Sequence, residues 1–208
     1  MKKIVIFGST GSIGTTLLNL IKKDKKNFKI ELISANKNYK KLIKQAEYFK
    51  VKNLIIADKD SFLKAKKIIK KKNINIYNSY DDIDKIFKNK IDYTMSSVSG
   101  LSGLNSTMKI IKFTKNIAIA NKESIICAWN LIEKELIKHK TNFIPIDSEH
   151  FSIWSLIGNT PTCKVDKIII TASGGPFLNH PFNKFDKINI KDALKHPNWS
   201  MGKKISID

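Results

Sequence analysis

The start of the chain most constrains its fold, because a short strand, a glycine-rich turn and a helix follow one another there. Residues 3–7 are mostly β-branched or aromatic, the motif G-S-T-G-S-I-G begins at Gly8, and apolar periodicity continues to Ile21. In such a unit the first glycine permits a tight turn, Gly11 lets the backbone approach a pyrophosphate, and Gly14 lets the helix pack closely. The N–H groups of the first helical turn then face the phosphates. The pattern predicts a dinucleotide-binding turn, with a plain strand-to-helix turn as the alternative.

The same alternation of strand and helix continues along the chain. It predicts strands over residues 29–34, 53–57, 74–77, 92–96, 115–120 and 167–171, and helices over residues 39–49, 61–71, 80–87, 122–138 and 151–157. Strands separated by amphipathic helices are typical of an α/β fold with a Rossmann-like parallel sheet and right-handed crossovers. The small-residue segment 96–103 would lie at the carboxyl edge of that sheet, where such folds bind ligands, or would form a flexible turn.

The residues after the second predicted strand bear on the choice of cofactor. Folds that prefer NAD carry an acid about 20 residues beyond the glycines, where it holds the ribose 2′-hydroxyl. Here Asn36, Lys37 and Asn38 occupy that place, and they are neutral or basic. A cation beside an amide suits a 2′-phosphate, so the sequence favours NADPH over NADH.

Polar residues also follow the predicted strand at 115–120. Asn121, Lys122 and Glu123 stand at its carboxyl end, where a helix begins. Such side chains can serve a nicotinamide ribose and a substrate phosphate or oxyanion together. The alternative is structural, with Asn121 as the N-cap of the helix and Glu123 as a first-turn acid.

Two carboxylates follow an apolar run in the stretch N-F-I-P-I-D-S-E-H. If the backbone stays extended there, Asp147 and Glu149 point to the same side, while Ser148 faces the other way or caps the next helix. Two like charges held close are costly unless a cation lies between them. Mg²⁺ and Mn²⁺ prefer such oxygen ligands, so we expect a divalent metal site, with a solvated helix start as the alternative.

The last part of the chain carries two further candidate sites. The predicted strand at 167–171 leads into A-S-G-G-P-F, where Ser173 and the following glycines offer a hydroxyl and bare N–H groups to a phosphate. The segment H-P-N-W-S-M-G-K-K begins at His196 and is predicted to be a loop, because proline and glycine interrupt any helix. Trp199 in this loop could cover a ligand, although both it and His196 could instead be structural.

Composition limits the classes of function. The formal net charge is +20, yet all 38 basic residues are lysine and arginine is absent, which argues against sequence-specific nucleic-acid recognition. A general attraction for phosphorylated small molecules fits the charge better. No apolar run approaches the roughly 18 residues of a membrane span, so no membrane partner is expected. Cys127 and Cys163 lack metal or redox spacing and are predicted to be reduced, buried thiols.

Five ordered motifs together resemble those of the 1-deoxy-D-xylulose-5-phosphate reductoisomerase family. They are G-S-T-G-S-I-G, A-N-K-E-S, P-I-D-S-E-H, A-S-G-G-P-F and H-P-N-W-S-M-G-K-K, spread over nearly the whole chain. The resemblance implies an NADPH-binding Rossmann-like domain over residues 1–140 and the start of an α+β catalytic domain over residues 141–208. It also implies Mn²⁺ or Mg²⁺ as a cofactor, and conversion of 1-deoxy-D-xylulose 5-phosphate to 2-C-methyl-D-erythritol 4-phosphate in the non-mevalonate isoprenoid pathway. A homodimer in the bacterial cytoplasm or a plastid-like organelle is implied for the complete protein.

The resemblance assigns roles to residues that match the motifs. The implied NADPH contacts are Thr10, Gly11, Ser12 and Ile13 at the pyrophosphate, Lys37 and Asn38 at the 2′-phosphate, and Asn36, Asn121, Glu123 and Gly202. The implied substrate contacts are Lys122, Ser148, Glu149, Ser173, His196 and Trp199, and the implied metal ligands are Asp147 and Glu149. Catalytic roles are implied for Lys122, Asp147, Glu149 and His196.

Two departures from the family pattern matter. Asn36 stands where the family usually has glycine, and asparagine tolerates the same left-handed backbone. The family pattern also continues beyond Asp208 with more phosphate contacts and a third carboxylate ligand. We therefore expect a partial sequence that binds NADPH and turns over poorly by itself. The alternatives are another NADP-dependent oxidoreductase without a metal, and a non-enzymatic binder of nucleic acid or acidic surfaces.

Overall fold

The computed structural model describes residues 1–69, 73–158 and 160–198. The chain divides into two compact units, Met1–Gly158 and Asn159–Asp208, which are described separately below. The first unit includes the strand and helix on either side of Asp147. The functional boundary at residue 140 stays a prediction.

The first unit is built on one parallel sheet. Its strands are β1 (Lys2–Phe7), β2 (Phe28–Ala35), β3 (Asn53–Ile56), β4 (Asn75–Tyr77), β5 (Ile91–Ser96), β6 (Thr114–Ile119) and β7 (Asn142–Pro145). Their order in the sheet is β4-β3-β2-β1-β5-β6-β7, and every neighbouring pair is parallel. This confirms the predicted α/β fold. The strand order changes direction between β1 and β5, and such switch points are where open α/β sheets bind ligands.

Helices connect the strands and cover both faces of the sheet. They are α1 (Ser12–Lys23), α2 (Tyr39–Phe49), α3 (Lys59–Ile69), α4 (Ile83–Ile86), α5 (Ser102–Ile111), α6 (Lys122–Lys138) and α7 (Ser148–Ile157), with α8 (Ile190–Ala193) in the second unit. A 3₁₀ turn, Tyr80–Asp82, precedes α4. No helix in the described part of the chain is long and apolar enough to cross a membrane.

The core lies in two layers on opposite faces of the sheet. Successive residues of β1 alternate between them, so that Ile4 and Ile6 belong to one cluster and Val5 and Phe7 to the other. Because both faces are covered, the strands read as continuous apolar runs, as parallel strands usually do. Full burial of each such side chain contributes about 1.5–3 kcal/mol of transfer free energy, which holds the carboxyl edge of the sheet in place.

Two expectations about local structure are wrong, and one helix was not predicted. Residues 167–171 form no strand, because a β-branched run also needs a partner strand and none of the described residues pairs with it; Ile169 is 73% exposed. The expected loop after β5 extends from residue 97 to residue 101, and the helix that follows it, α5, was not predicted, because several of the residues it buries are small or polar and form no apolar stripe. Cys127 and Cys163 are free, but both are exposed rather than buried.

In the second unit the described residues form short helices only. They are two 3₁₀ helices, Thr162–Lys164 and Phe182–Lys187, and α8. Phe177, His180 and Phe185 form a small aromatic cluster with ring centroids 5.5–6.3 Å apart.

Candidate functional site at the carboxyl edge of the sheet

The predicted site residues of the first unit follow four strands of one parallel sheet. Residues 10–13 follow β1, residues 36–38 follow β2, residues 121–123 follow β6 and residues 147–149 follow β7. The carboxyl ends of parallel strands lie at the same edge, so these four segments share that edge. Neighbouring strands are about 4.8 Å apart, which places β7, three strands from β1, roughly 14 Å from the glycine turn.

The glycine turn is packed too closely for side chains at two positions. Gly8 has a φ of +74°, and a Cβ there would lie 2.6 Å from the carbonyl oxygen of Ser97 in the loop after β5. A Cβ on Gly14 would lie 2.5 Å from the carbonyl oxygen of Gly8. These distances hold the turn between the first turn of α1 and the neighbouring loop, at the switch point of the sheet.

The N-terminus of α1 presents backbone donors at this turn. Gly11 is the N-cap, and no side chain caps the helix or places an acid in its first turn. The Gly11 N–H donates to Gly8 O at 3.0 Å, so it maintains the turn itself. Ser12 and Ile13 follow at the first helical positions, where N–H groups have no acceptor within a helix. An anion such as a pyrophosphate suits these groups, and the uncapped start favours negative charge.

A buried hydrogen-bond network supports the turn from β2. The Gly8 N–H donates to Ser34 Oγ at 3.1 Å, and Ser34 Oγ shares a hydrogen bond of 3.0 Å with the Tyr80 hydroxyl. Burial raises the pKa of Tyr80, although the hydrogen bond to Ser34 acts in the opposite direction, so the phenol stays neutral. Ser34 and Tyr80 were not predicted, because no local motif marks contacts between residues so far apart in the chain.

The segment predicted to bind the 2′-phosphate is exposed. Asn36, Lys37 and Asn38 lie between the end of β2 and the start of α2. Asn38 is the N-cap of α2, and its Oδ1 accepts a hydrogen bond from the Lys41 N–H at 3.2 Å. The segment therefore combines a lysine, two amides and the positive end of a helix, a set that suits a phosphate.

Asn121 adopts the structural role considered as an alternative. It is 4% exposed, and its Oδ1 accepts a hydrogen bond from the Ser124 N–H at 3.1 Å as the N-cap of α6. Its Nδ2 donates to the carbonyl oxygens of Val98, at 2.8 Å, and Gly100. The amide thereby fixes the loop after β5 to the start of α6. Lys122 and Glu123 follow in the first turn of that helix and are partly exposed.

The two acids stand at the start of α7 rather than on an extended strand. The expectation of strand alternation is wrong here, because the helix begins at Ser148 and Asp147 is its N-cap. Ser148 is the first helical residue, so it does not cap the helix. Asp147 Oδ1 accepts a hydrogen bond from the His150 N–H at 3.0 Å, and His150 Nδ1 lies 2.8 Å from the same oxygen. The next two residues, Ser148 and Glu149, are exposed.

The environment of Asp147 keeps its carboxyl group ionised. Burial acts to raise its pKa, but hydrogen bonds from the backbone N–H and the ring of His150 outweigh this effect, so the pKa lies below its ordinary value of 3.8. An ionised carboxylate with an exposed second acid two residues away is the ligand chemistry that Mg²⁺ and Mn²⁺ prefer. No group of three or more metal-binding side chains occurs among the described residues, and the two acids supply oxygen ligands of the kind that a divalent ion takes.

Ser173 and His196 are in contact within the second unit. Ser173 Oγ lies 2.9 Å from His196 Nε2, and the Asn198 N–H donates to His196 Nδ1 at 3.0 Å. Because Nδ1 accepts a hydrogen bond, the neutral ring carries its proton on Nε2 and donates it to Ser173. Ser173 Oγ also accepts from the Gly175 N–H at 3.3 Å, so its hydroxyl hydrogen can be donated to a ligand. The predicted contacts at Trp199 and Gly202 lie outside the described residues.

Comparison with known proteins decides the family. The family model for 1-deoxy-D-xylulose 5-phosphate reductoisomerase matches residues 4–129, and the model for the C-terminal domain of the same enzyme matches residues 143–208. The chain belongs to the 1-deoxy-D-xylulose 5-phosphate reductoisomerase family. The resemblance inferred from the five motifs is confirmed.

Curated reductoisomerases align with the whole of the chain. The enzyme of Pelagibacter ubique is 63% identical over 210 residues, which cover 100% of this chain and 54% of the relative. The enzyme of Clostridium tetani is 43% identical and is matched over 55% of its length. The chain therefore spans about half the length of the curated relatives it matches.

Solved reductoisomerase structures share the fold. The enzyme of Zymomonas mobilis in complex with NADPH has a TM-score of 0.85 at 30% identity, covering 93% of this chain and 51% of that one. A reductoisomerase in complex with NADPH, fosmidomycin and magnesium has a TM-score of 0.84 at 29% identity, covering 100% of this chain and 54% of that one. These reductoisomerases bind ligands of the two classes that the sequence predicted, a reduced dinucleotide and a divalent metal.

Proposed function

We propose that the complete protein is an NADPH- and divalent-metal-dependent reductoisomerase that converts 1-deoxy-D-xylulose 5-phosphate to 2-C-methyl-D-erythritol 4-phosphate. The observation that carries the proposal is the order of groups along the carboxyl edge of the sheet. A basic segment follows β2, a glycine turn follows β1, a polar helix start follows β6 and two acids follow β7. Under this proposal the four segments would bind, in turn, the 2′-phosphate, the pyrophosphate, the nicotinamide and the metal with its substrate.

The chain offers a complete path for NADPH along this edge. The N–H groups of Ser12 and Ile13 would hold the pyrophosphate, beside Thr10 and Gly11, because they stand at an uncapped helix N-terminus. Asn36, Lys37 and Asn38 would hold the 2′-phosphate. Extension from β1 across β5 to β6 would bring the nicotinamide towards Glu123, and Asn121 would shape the site through the loop that it fixes.

The two acids would bind the metal, and further residues would contact the substrate. Asp147 and Glu149 would hold Mg²⁺ or Mn²⁺, which supplies Lewis-acid polarisation of substrate oxygens when bound there. Lys122 and Ser148 lie beside this position along the same edge and would contact the sugar phosphate. Ser173 would donate its hydroxyl hydrogen to a phosphate oxygen, since His196 already donates to Ser173 Oγ. His196 and Trp199 would also contact the substrate.

We propose that the chain of 208 residues by itself binds NADPH but turns over poorly. Two carboxylates supply fewer ligands than the six oxygens that these cations usually take, so the metal would be held weakly. The proposed partners are the sugar-phosphate substrate and a second copy of the complete protein, with no nucleic acid or membrane. We place the protein in the cytoplasm, in keeping with its bacterial relatives.

Two binding experiments test the proposal. Titration of the chain with NADPH, followed by nicotinamide fluorescence, should show saturation of one binding site. Lys37→Ala should weaken the binding of NADPH more than the binding of NADH. Titration with Mn²⁺, followed by the paramagnetic resonance of the free ion, should show binding that the double variant Asp147→Ala, Glu149→Ala abolishes. The matched control removes two exposed acids elsewhere, as Asp60→Ala, Glu133→Ala, and should bind Mn²⁺ like the unaltered chain.

The outcomes separate the alternatives. If the chain binds NADPH and the double variant retains Mn²⁺ binding, the metal site is not at these acids, which favours an NADP-dependent oxidoreductase without this metal centre. Absence of NADPH binding, together with salt-sensitive retention on DNA, would favour a basic binder of nucleic acid.

A further inference from the structure

Two side chains of α2 reach across to the glycine turn. Lys41 and Gln45 are four residues apart and therefore share one face of the helix. Gln45 pairs twice with Ser9, since Ser9 Oγ donates to Gln45 Oε1 at 2.8 Å and Gln45 Nε2 donates to Ser9 O at 3.0 Å. Lys41 Nζ donates to Thr10 O at 2.9 Å and to Thr15 Oγ1 at 2.9 Å.

Lys41 also contacts the other phosphate-binding segment. Its backbone N–H donates to Asn38 Oδ1 at 3.2 Å, so one residue joins the segment proposed for the 2′-phosphate to the turn proposed for the pyrophosphate. The ammonium group is partly buried, and its hydrogen bonds are charge-assisted, which makes them stronger than neutral ones. Partial burial also reduces screening of its charge by salt.

The position of this ammonium group has a geometric consequence for the turn. With Thr10 O directed at Lys41 Nζ, the peptide plane between Thr10 and Gly11 is fixed. The bond to Thr15 Oγ1 fixes the first turn of α1 from the same side. The Ser12 and Ile13 N–H groups proposed to hold the pyrophosphate lie between these two attachments.

We propose that Lys41 is a positioning residue for the pyrophosphate of the dinucleotide. It holds the glycine turn in the binding conformation and adds a positive charge behind it. This inference rests on the proposed function, because it presupposes that the turn binds a dinucleotide. Since NADPH and NADH share the pyrophosphate, loss of Lys41 should weaken both cofactors alike. The 2′-phosphate preference should stay with Lys37 and Asn38.

The test compares two adjacent lysines of α2 in the chain of 208 residues. Dissociation constants for NADPH and NADH are measured by nicotinamide fluorescence for the unaltered chain, Lys41→Met, Lys41→Arg and Lys40→Met. Lys40 is exposed and its loss changes the net charge equally, so it is the matched control. Lys41→Met should raise both dissociation constants about tenfold, a loss of about 1.4 kcal/mol of binding free energy. The ratio of the two constants should stay within about twofold of its value in the unaltered chain.

Two further results complete the expectation. Lys41→Arg should recover most of the affinity, because a guanidinium can donate to both oxygens, and Lys40→Met should bind like the unaltered chain. Thermal midpoints without cofactor show whether each variant is folded. If Lys41→Met lowers the midpoint strongly, the comparison of Lys41→Arg with Lys40→Met still decides, because failure of the folded arginine variant to bind overturns the proposal.

Three other outcomes would also overturn the inference, and they are distinguishable. Unchanged binding by Lys41→Met would show that the contacts do not position the turn. A loss confined to NADPH would place the ammonium at the 2′-phosphate instead. If the unaltered chain binds neither cofactor, the proposed function itself fails and this inference fails with it.

Discussion

Replacement of Asn121 by alanine should destabilise the first unit by an amount that its contacts predict. The side chain caps α6 through Ser124 and donates to the carbonyl oxygens of Val98 and Gly100, in a site that is only 4% exposed. Loss of an N-cap costs about 1 kcal/mol. Loss of two neutral hydrogen bonds costs about 1 kcal/mol each, since the partly buried carbonyl groups lose a partner. The expected loss in the free energy of unfolding is therefore about 3 kcal/mol.

The assay is thermal unfolding followed by far-ultraviolet circular dichroism. For a domain of about 150 residues, 1 kcal/mol corresponds to roughly 2–4 °C, so Asn121→Ala should lower the midpoint by roughly 6–12 °C. Asn121→Ser retains an oxygen that can cap the helix, so its loss should be smaller by about 1 kcal/mol. A midpoint for Asn121→Ala within about 2 °C of the unaltered chain would refute the reasoning, since a loss of only about 1 kcal/mol would already lower the midpoint by that much. Equal midpoints for the two variants would show that the cap contributes nothing.

Three other substitutions give independent tests. Gly14→Ala would place a Cβ 2.5 Å from a backbone carbonyl oxygen, so it should lower the free energy of unfolding in urea by about 1–3 kcal/mol and weaken the binding of NADPH. The control Asn19→Ala, at an exposed position of the same helix, should change neither quantity. His150→Ala removes the imidazole that helps to lower the pKa of Asp147 but keeps the backbone N–H that donates to Oδ1, so that pKa should rise only part of the way to its ordinary value in a carboxyl carbon NMR titration. Because the pKa of Asp147 is lower in the folded state, its carboxylate stabilises the fold above the unfolded pKa, and this stabilisation is lost as pH falls through the folded pKa. In the variant the stabilisation should be smaller. An unchanged Asp147 titration would contradict the role of the His150 ring. Tyr80→Phe removes the buried hydroxyl that bonds to Ser34 and should cost about 1 kcal/mol in the same urea assay, and equal stability would show that the network is dispensable.

The parallel sheet could be predicted from sequence because its strands are marked locally. Each is a short apolar run followed by a helix of clear periodicity, as between β1 and α1. The prediction failed where tertiary context decides. Residues 167–171 have the composition of a strand but no described partner, and α5 buries small residues that do not form an apolar stripe.

The site was predicted to the level of segments rather than of contacts. Motif spacing placed the glycine turn, the segment 36–38 and the two acids at strand ends, and the structure puts these segments at one edge. Motif spacing did not show that Asp147 caps α7, because a helix start and the end of an extended strand can have the same residue types. Lys41 contacts the turn from α2, and Tyr80 supports it through Ser34, and one sequence holds no signal for such distant pairs.

The position of Asp147, two residues after the end of β7, has a consequence for how the protein tolerates substitutions. The acids and the glycine turn are joined through the backbone ladders of β1, β5, β6 and β7, so their separation is set by main-chain hydrogen bonds rather than by loops. Surface substitutions can therefore accumulate without altering the distance between the glycine turn and the two acids. A disruption of β6, which has a ladder on both sides, would change that distance at once.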